Sequence, residues 1–368
     1  MKKISQVLLF LSFCTIYSQT NFKMDISAPV FAKDSITIAP PMGMGETHKL
    51  YNFTIQPEKG VRFMKGFNTA FIRIDDSKAV TGQIEYPQPV IFGYFNAVEK
   101  GGYGSDIFFI EKGDYKISIV DKNLNFTSGS ETPTNAEYKK LKKLLEIADK
   151  KLKPYEDNNP GDIESKQKLL RTYITKNPNS YVAFWEIVND FSKYGFNPSY
   201  VENMPLFSKK IKGIFSYKEF EKILKIENAT SVGANFPNLK LNSTDQINNS
   251  SFSDHKLTLI DYWATTCKPC IKDLPKLVTL YEKYKDKGVQ FISVADDIVK
   301  DRMDRANTIL NENKVSWKNY FDVNQAFLNK LHATGYPLQI LVDQNGKIIA
   351  RKFGELDQIA GEIEKHIQ

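Results

Sequence analysis

Cysteine is scarce in this chain: among 368 residues there are 3, and Cys14 lies inside an N-terminal apolar stretch, which leaves Cys267 and Cys270 as one pair spaced C-x-x-C. One pair is no disulfide framework, and a chain this long has core enough without covalent staples. Histidine is nearly as rare. His48, His255, His332 and His366 stand far apart, with no H-x-x-x-H and no second C-x-x-C, so the four-ligand set zinc normally takes is missing and no metal is expected. Beyond the N-terminus no stretch reaches the roughly 20 apolar residues that span a bilayer. No flavin or nicotinamide fingerprint occurs, so no cofactor is expected. Charge is not concentrated either. The formal net charge is +7, of which Lys2 and Lys3 carry two, and the lysines are scattered along polar helix faces rather than gathered with aromatics into a stripe, which excludes nucleic acid as an expected partner.

What is present divides the chain into segments, as the length favours. Residues 1–18 read as a signal peptide: Lys2 and Lys3 form the charged start, Val7 to Phe13 the apolar core, and Ile16-Tyr17-Ser18 the cleavage site. An uncleaved anchor is the alternative, but the apolar run is too short to span. A lipid on Cys14 is disfavoured by Phe13, where a small residue is wanted. Export, and in a bacterial envelope a periplasmic location, follow as expectations, with a mature chain that is not membrane-spanning.

Residues 19–130 show short β-type runs, Ser35 to Ile38, Lys49 to Ile55, Ala70 to Ile74, Gln88 to Phe95, Asp106 to Ile110 and Tyr115 to Val120, broken by Gly and Pro. An all-β, sandwich-like domain is expected. The period then changes. Residues 131–226 carry helical spacing after a Thr134/Glu137 capping-box signature, again after Ser180, and after a Ser216/Glu219 box, and read as a helical connector. Residues 227–368 open with an Asn- and Ser-rich linker and edge hairpin and then alternate strand and helix, the pattern of an α/β unit. Within it Leu257 to Trp263 is a buried strand, Ile271 to Tyr284 a helix ending toward a left-handed Gly288, and Asn345-Gly346 a hairpin turn.

The C-x-x-C gains meaning from its context. Trp263-Ala264-Thr265-Thr266-Cys267-Lys268-Pro269-Cys270 lies where a buried strand passes into a helix. A cysteine at a helix N-terminus faces unpaired N–H groups and the positive end of the dipole, which stabilise its thiolate. Cys267 is thus the expected attacking thiol, and Cys270, one turn on, the resolving one.

With these residues in view the C-terminal third resembles a thioredoxin-fold domain of the TlpA/ResA type, the extracytoplasmic thiol-disulfide oxidoreductases. Val232-Gly233-Ala234-Asn235-Phe236-Pro237 resembles that family's lead-in segment, Leu259 to Ala264 its first core strand, Pro275 its helix proline and Gly335-Tyr336-Pro337 its cis-proline loop. More weakly, Thr81 to Pro87 and Ile107 to Glu111 are similar to a β domain of unknown function that often precedes such thioredoxins. The resemblance implies that Cys267 is the nucleophile, Cys270 the resolving thiol, and Pro337 the residue holding client backbone beside the sulfurs. Asp261 matches the family's buried acid. A carboxylate there can be desolvated beside the second cysteine and take its proton, the plainer reading being an Asp that closes the strand. Trp263 reads either as a wall of the site or as core, Tyr336 as a stacking surface for a peptide, and Lys268 as a charge favouring the thiolate and a more oxidising couple. His332 could lie near the same loop, although a loop histidine is more often only solvated. Thr266 departs from the family, which usually has an aromatic there.

The expected function is a periplasmic reductase of disulfides in exported client proteins, for example apocytochrome c, supplied with electrons by a membrane thiol-electron donor of the CcdA/DsbD kind. The alternatives are a disulfide oxidase or isomerase, or a non-catalytic client-binding module on the same fold.

Overall fold

A computed structural model describes residues 21–31, 34–41, 45–75, 77–96, 101–129, 131–156, 158–354 and 356–367. The expected signal peptide and Cys14 lie outside the described residues. The described residues form two compact units, one drawn from residues 1–41 with 52–136 and one from residues 42–51 with 137–368.

The first unit contains β1 (Phe22–Ser27), β2 (Ser35–Ala39), β3 (Phe53–Ile55), β4 (Val61–Met64), β5 (Thr69–Arg73) and β6 (Ser77–Ile84). It continues with β7 (Gln88–Asn96), β8 (Gly101–Gly104), β9 (Phe108–Ile110), β10 (Gly113–Ile119) and β11 (Phe126–Ser128). One sheet runs β11-β10-β1-β6-β3 and the other β4-β5-β2-β7-β8, with β9 added to β7. Period-two burial drives both. In β1, Phe22, Met24 and Ile26 are buried while the residues between them are not. Phe92 and Phe126, from opposite sheets, meet at 5.3 Å, and so do Phe53 and Phe63 at 6.2 Å, so the inner faces interlock as in a sandwich. Gly82 is required where β6 passes under Phe22 and β3: a Cβ there would stand 2.1 Å from the Thr54 carbonyl oxygen.

The expected strand from Lys49 is shorter. Residues Gly45–Leu50 form a 3-10 helix, and Tyr51 stacks on Trp185 at 4.6 Å, so this segment serves the second unit and the strand begins only at Phe53.

The helical segment comprises α1 (Pro133–Asp149), α2 (Pro160–Lys176), α3 (Tyr181–Tyr194), α4 (Pro198–Asn203), α5 (Lys209–Lys212) and α6 (Phe215–Ala229). Asn159 and Ser180 cap α2 and α3, accepting from the Gly161 and Ala183 amides at 2.9 Å. Two expected capping boxes do not form. Thr134 lies inside α1 and donates to Glu111, Thr132 accepts from the Asn135 amide instead, and Glu137 accepts from Tyr173 and Ser180. At α6 the N-cap is Ile214, and Ser216 lies inside the helix and donates to the Leu50 carbonyl, so in both places the hydroxyl sits past the cap position and serves a tertiary contact.

The remainder contains the hairpin β12 (Leu239–Lys240) and β13 (Gln246–Ile247), then β14 (Leu257–Trp263), α7 (Lys268–Tyr284), β15 (Val289–Ala295) and α8 (Lys300–Glu312). It closes with β16 (Lys318–Phe321), α9 (Ala326–Leu331), β17 (Leu338–Asp343), β18 (Ile348–Phe353) and α10 (Leu356–Ile367). The sheet order is β16-β15-β14-β17-β18, with β14, β15 and β16 parallel and β17 and β18 antiparallel to their neighbours. All seven residues of β14 are buried, as a central strand covered on both faces must be. Leu257, Leu259 and Trp263 pack with α7, α8 and α10, whereas Ile260 and Tyr262 pack with α9 and the residues around Phe236 and Phe252. Gly288 (φ 84) and Gly346 (φ 80) hold the left-handed positions the sequence assigned them.

Candidate active site

The site stands where β14 and β15 end. Residues Ala264 to Thr266 leave the sheet at the carboxyl ends of these parallel strands, the usual place for a site on an open α/β sheet. Cys267 is the N-cap of α7, with extended backbone, and its Sγ accepts from the Cys270 amide at 3.1 Å. The two sulfurs are joined as a disulfide. Cys267 is the less buried, 9% exposed against 3% for Cys270, so an external partner reaches Cys267 first. When the pair is reduced, the same amide and the dipole of the 17-residue helix favour a thiolate on Cys267. Pro269 occupies the first turn of α7, where the missing N–H costs nothing, and both Lys268 and Thr266 are exposed beside Cys267.

Asp261 lies on β14 and is buried, with Gln339 Nε2 donating to its Oδ1 at 2.9 Å. Strand alternation places it on the same side as Leu259 and Trp263, the side on which Cys270 and Leu274 of α7 pack. Burial pushes its pKa up to about 6; the Gln339 hydrogen bond opposes this, and the charge of Asp273 on α7 adds to it. A carboxyl so placed is protonated at mildly acidic pH and can exchange a proton near neutrality.

Two acidic residues absent from the sequence-based expectations follow β15. Asp297 is fully buried and accepts from the Thr265 amide at 2.8 Å and the Thr265 hydroxyl at 2.9 Å, which anchors the chain two residues before Cys267. Asp296 accepts from the Tyr336 hydroxyl. The Tyr336–Pro337 peptide is cis. Tyr336 is 36% exposed and its ring lies 5.2 Å from that of Tyr262, which itself stacks on Phe327 at 4.4 Å. Burial and the Asp296 carboxylate both hold the Tyr336 hydroxyl above its ordinary pKa. An acidic pair directly after a strand adjacent to the C-x-x-C strand is a signal the sequence contains, but its two targets are 32 and 40 residues away.

Trp263, read as a wall of the site or as core, is fully buried in the cluster that also holds Cys267 and Cys270, and its Nε1 donates to Asn319 Oδ1 at 3.1 Å, so it offers no surface to a client. His332 does stand at the start of the loop that carries Tyr336 and Pro337, but it is buried against Glu227 at 2.7 Å rather than solvated. Among the described residues no group of three or more His, Cys, Asp or Glu could hold a metal, and no helix is long and apolar enough to cross a membrane.

Comparison with known proteins bears on this region. Residues 231–365 match the Redoxin family model. Thiol-disulfide oxidoreductase ResA of Bacillus anthracis is 30% identical over 113 residues, covering 30% of this chain and 63% of that protein. ResA of Bacillus cereus is 24% identical over 161 residues, 43% of this chain and 89% of that protein. The chain therefore spans 63% of the length of the former relative. Among solved structures, the thioredoxin domain of a thiol-disulfide oxidoreductase from Bacteroides vulgatus is 25% identical, covers 38% of this chain and 99% of that one, and has a TM-score of 0.33. The strand order, the C-x-x-C at the head of α7 and the Redoxin match define the C-terminal region as a thioredoxin-like domain. Within that class it is similar to the thiol-disulfide oxidoreductases of the ResA kind.

Proposed function

We propose that the protein is an exported thiol-disulfide oxidoreductase that reduces disulfides in other exported proteins through Cys267 and Cys270. The observation that carries the reading is the disulfide at the head of α7, with Cys267 as N-cap and the outer sulfur, and Asp261 buried on the α7-facing side of β14.

In the reduced protein the Cys267 thiolate attacks a client disulfide, forms a mixed disulfide and releases one client thiolate, which takes up a proton. Asp261 accepts the proton of Cys270. The Cys270 thiolate then attacks Cys267 Sγ, closing the intramolecular disulfide and releasing the second client sulfur, which is protonated in turn. Two electrons pass from the dithiol to the client, and two electrons and two protons from a thiol donor restore it. A membrane donor of the CcdA/DsbD kind and a client such as apocytochrome c fit this role in a periplasmic setting. The tyrosine and cis-proline at 336–337 offer the client a stacking surface and backbone.

Lys268 supports the opposite direction of flow, since a cation beside Cys267 stabilises the reduced thiolate. The reduction potential decides between them: a value near roughly −270 mV supports the reductase, and one near about −120 mV makes the protein an oxidant. Insulin reduction by the native protein, abolished in Cys267→Ser, tests the chemistry itself. Covalent capture of envelope proteins by Cys270→Ser, reversed by dithiothreitol, identifies the clients.

A further inference from the structure

The loop that carries Tyr336 and Pro337 is gripped by the helical segment. Glu227, in the last turn of α6, is buried, and both its carboxylate oxygens are engaged. Oε1 lies 2.7 Å from His332 Nδ1, and Oε2 accepts from Arg351 Nη1 of β18 at 2.7 Å. Arg351 also donates to Thr230 Oγ1 at 3.3 Å and, through Nη2, to the Leu331 carbonyl. Leu331 is the last residue of α9 and His332 its C-cap, and the chain runs from there directly into Ala333 to Pro337. Phe191 of α3 flanks the imidazole, ring centroids 6.5 Å apart. His332 holds a left-handed backbone (φ 48), which a residue bearing a Cβ seldom adopts unless its surroundings fix it.

Apolar packing alone could join two segments. A buried carboxylate between a guanidinium and an imidazole costs desolvation of each group, and here His332 Nε2 and Arg351 Nε have no hydrogen-bond partner among the described residues. What such a set supplies beyond adhesion is a single geometry, because the directional bonds to Leu331 O, His332 Nδ1 and Thr230 Oγ1 are met together in one register only.

We propose that Glu227 is a positioning residue for client binding: through Arg351 and His332 it fixes the base of the 332–337 loop, so that Tyr336 and the backbone at Pro337 present one preformed edge to an extended client polypeptide beside Cys267. The proposal rests on the oxidoreductase reading above and gives the helical segment a part in client recognition. A small disulfide or dithiol needs only the sulfurs and ignores the loop, so the two substrate types separate positioning from chemistry.

The test compares native full-length protein with Glu227→Asp, Glu227→Gln and the double variant E227Q/R351M, which removes the stranded guanidinium charge should the single variant fold poorly. KM and kcat are measured on a disulfide-bonded peptide and the exchange rate on dithiothreitol, with amide hydrogen exchange followed at residues 332–336. The expected result is a peptide KM raised about fivefold or more in the Gln variants, the lower end of couplings between separate sites. The dithiothreitol rate and reduction potential stay unchanged, 332–336 exchanges faster, and Glu227→Asp recovers part of the KM. An unchanged peptide KM with unchanged loop exchange overturns the proposal, as does an equal fractional loss on peptide and dithiothreitol. If the native protein exchanges with neither substrate, it is the redox reading that fails, and protection of 332–336 still decides whether Glu227 holds the loop.

Discussion

At the scale of single residues the chemistry depends on where charge is kept out of water. Asp261 is buried with one hydrogen bond from Gln339, and its pKa of about 6 lies above the ordinary aspartate value of 3.8. A raised carboxyl pKa means that the folded state binds the proton more tightly than the unfolded chain, so the associated stability is complete below pH 3.8 and is lost as pH rises through about 6. Asp261→Asn, which keeps an oxygen for Gln339, is therefore expected to stabilise the fold at pH 8 by up to about 3 kcal/mol and to change nothing at pH 3.5. Denaturant titrations at the two pH values check this; destabilisation at pH 8 contradicts it. The same variant should slow resolution of the mixed disulfide and flatten the limb of the pH–rate profile near 6. Asp297 holds the chain just ahead of the other cysteine. Its two bonds to Thr265 anchor the segment ahead of Cys267, and its negative charge opposes a thiolate nearby. Asp297→Asn is expected to cost about 1.5–3 kcal/mol, the range for a hydrogen bond to a charged group, and to lower the Cys267 pKa. Alkylation of the reduced protein by iodoacetamide as a function of pH reads the second effect, and a midpoint that stays or rises counts against it.

At the scale of elements, what was legible in the sequence follows the range of the interaction involved. The buried run of β14, the helix after Cys267, the Asn345-Gly346 hairpin and the left-handed Gly288 are set by neighbours a few residues away, and they stand where the periodicity put them. The cap signatures at Thr134 and Ser216 are equally local, yet their hydroxyls bond Glu111 and Leu50, partners 23 and 166 residues distant. Strand β8, Gly101–Gly104, was invisible because three glycines carry no β propensity, and only pairing with β7 makes it a strand. The most consequential element-level feature hidden from the sequence is the charge set of the helical segment. Lys166, on α2, is almost wholly buried and contacts Asp149 and Glu186 at 2.7 Å and Asp190 at 2.5 Å. Burial works against its ammonium, but the three carboxylates outweigh it and hold its pKa well above the usual value, whereas burial drives Asp190 up to about 7. One lysine at helical spacing reads as a solvated face; only the packing of α2 on α3 shows otherwise. Removing it strands buried carboxylates, so Lys166→Met is expected to destabilise by about 3–5 kcal/mol at pH 8. The loss shrinks at lower pH, because without the ammonium that holds its pKa down Asp190 takes up a proton above about 7, and a neutral acid no longer needs the lysine. Thermal melts of both proteins at pH 8 and pH 5.5 measure the difference, and an equal loss at the two pH values argues against this charge accounting.

At the scale of the whole molecule, the chain order and the order of the units differ. Residues 42–51 precede most of the β unit in sequence but belong to the unit that holds the helices and the thioredoxin-like domain. Tyr51 stacks on Trp185, Trp185 meets Phe184 edge-on at 5.2 Å, and Phe184 touches Phe207, Tyr217 and Phe220, so an aromatic cluster running through α3 and α6 is closed by a residue from far upstream. Phe191 extends it from Phe220 to His332. The consequence is that a chain started at residue 137, although it holds every helix from α2 onward and the Cys267–Cys270 disulfide, lacks the cover on Trp185. Tyr51→Ala reproduces that loss without truncation. It is expected to lower the stability of the second unit by about 3–5 kcal/mol, the cost of deleting a buried aromatic, and to shift Trp185 fluorescence to longer wavelength. Phe67→Ala, at a position 59% exposed in the β unit, should do neither. Measured side by side in urea, the two variants test whether the upstream segment is a working part of the helical and redox unit; equal midpoints would show that the unit stands without it.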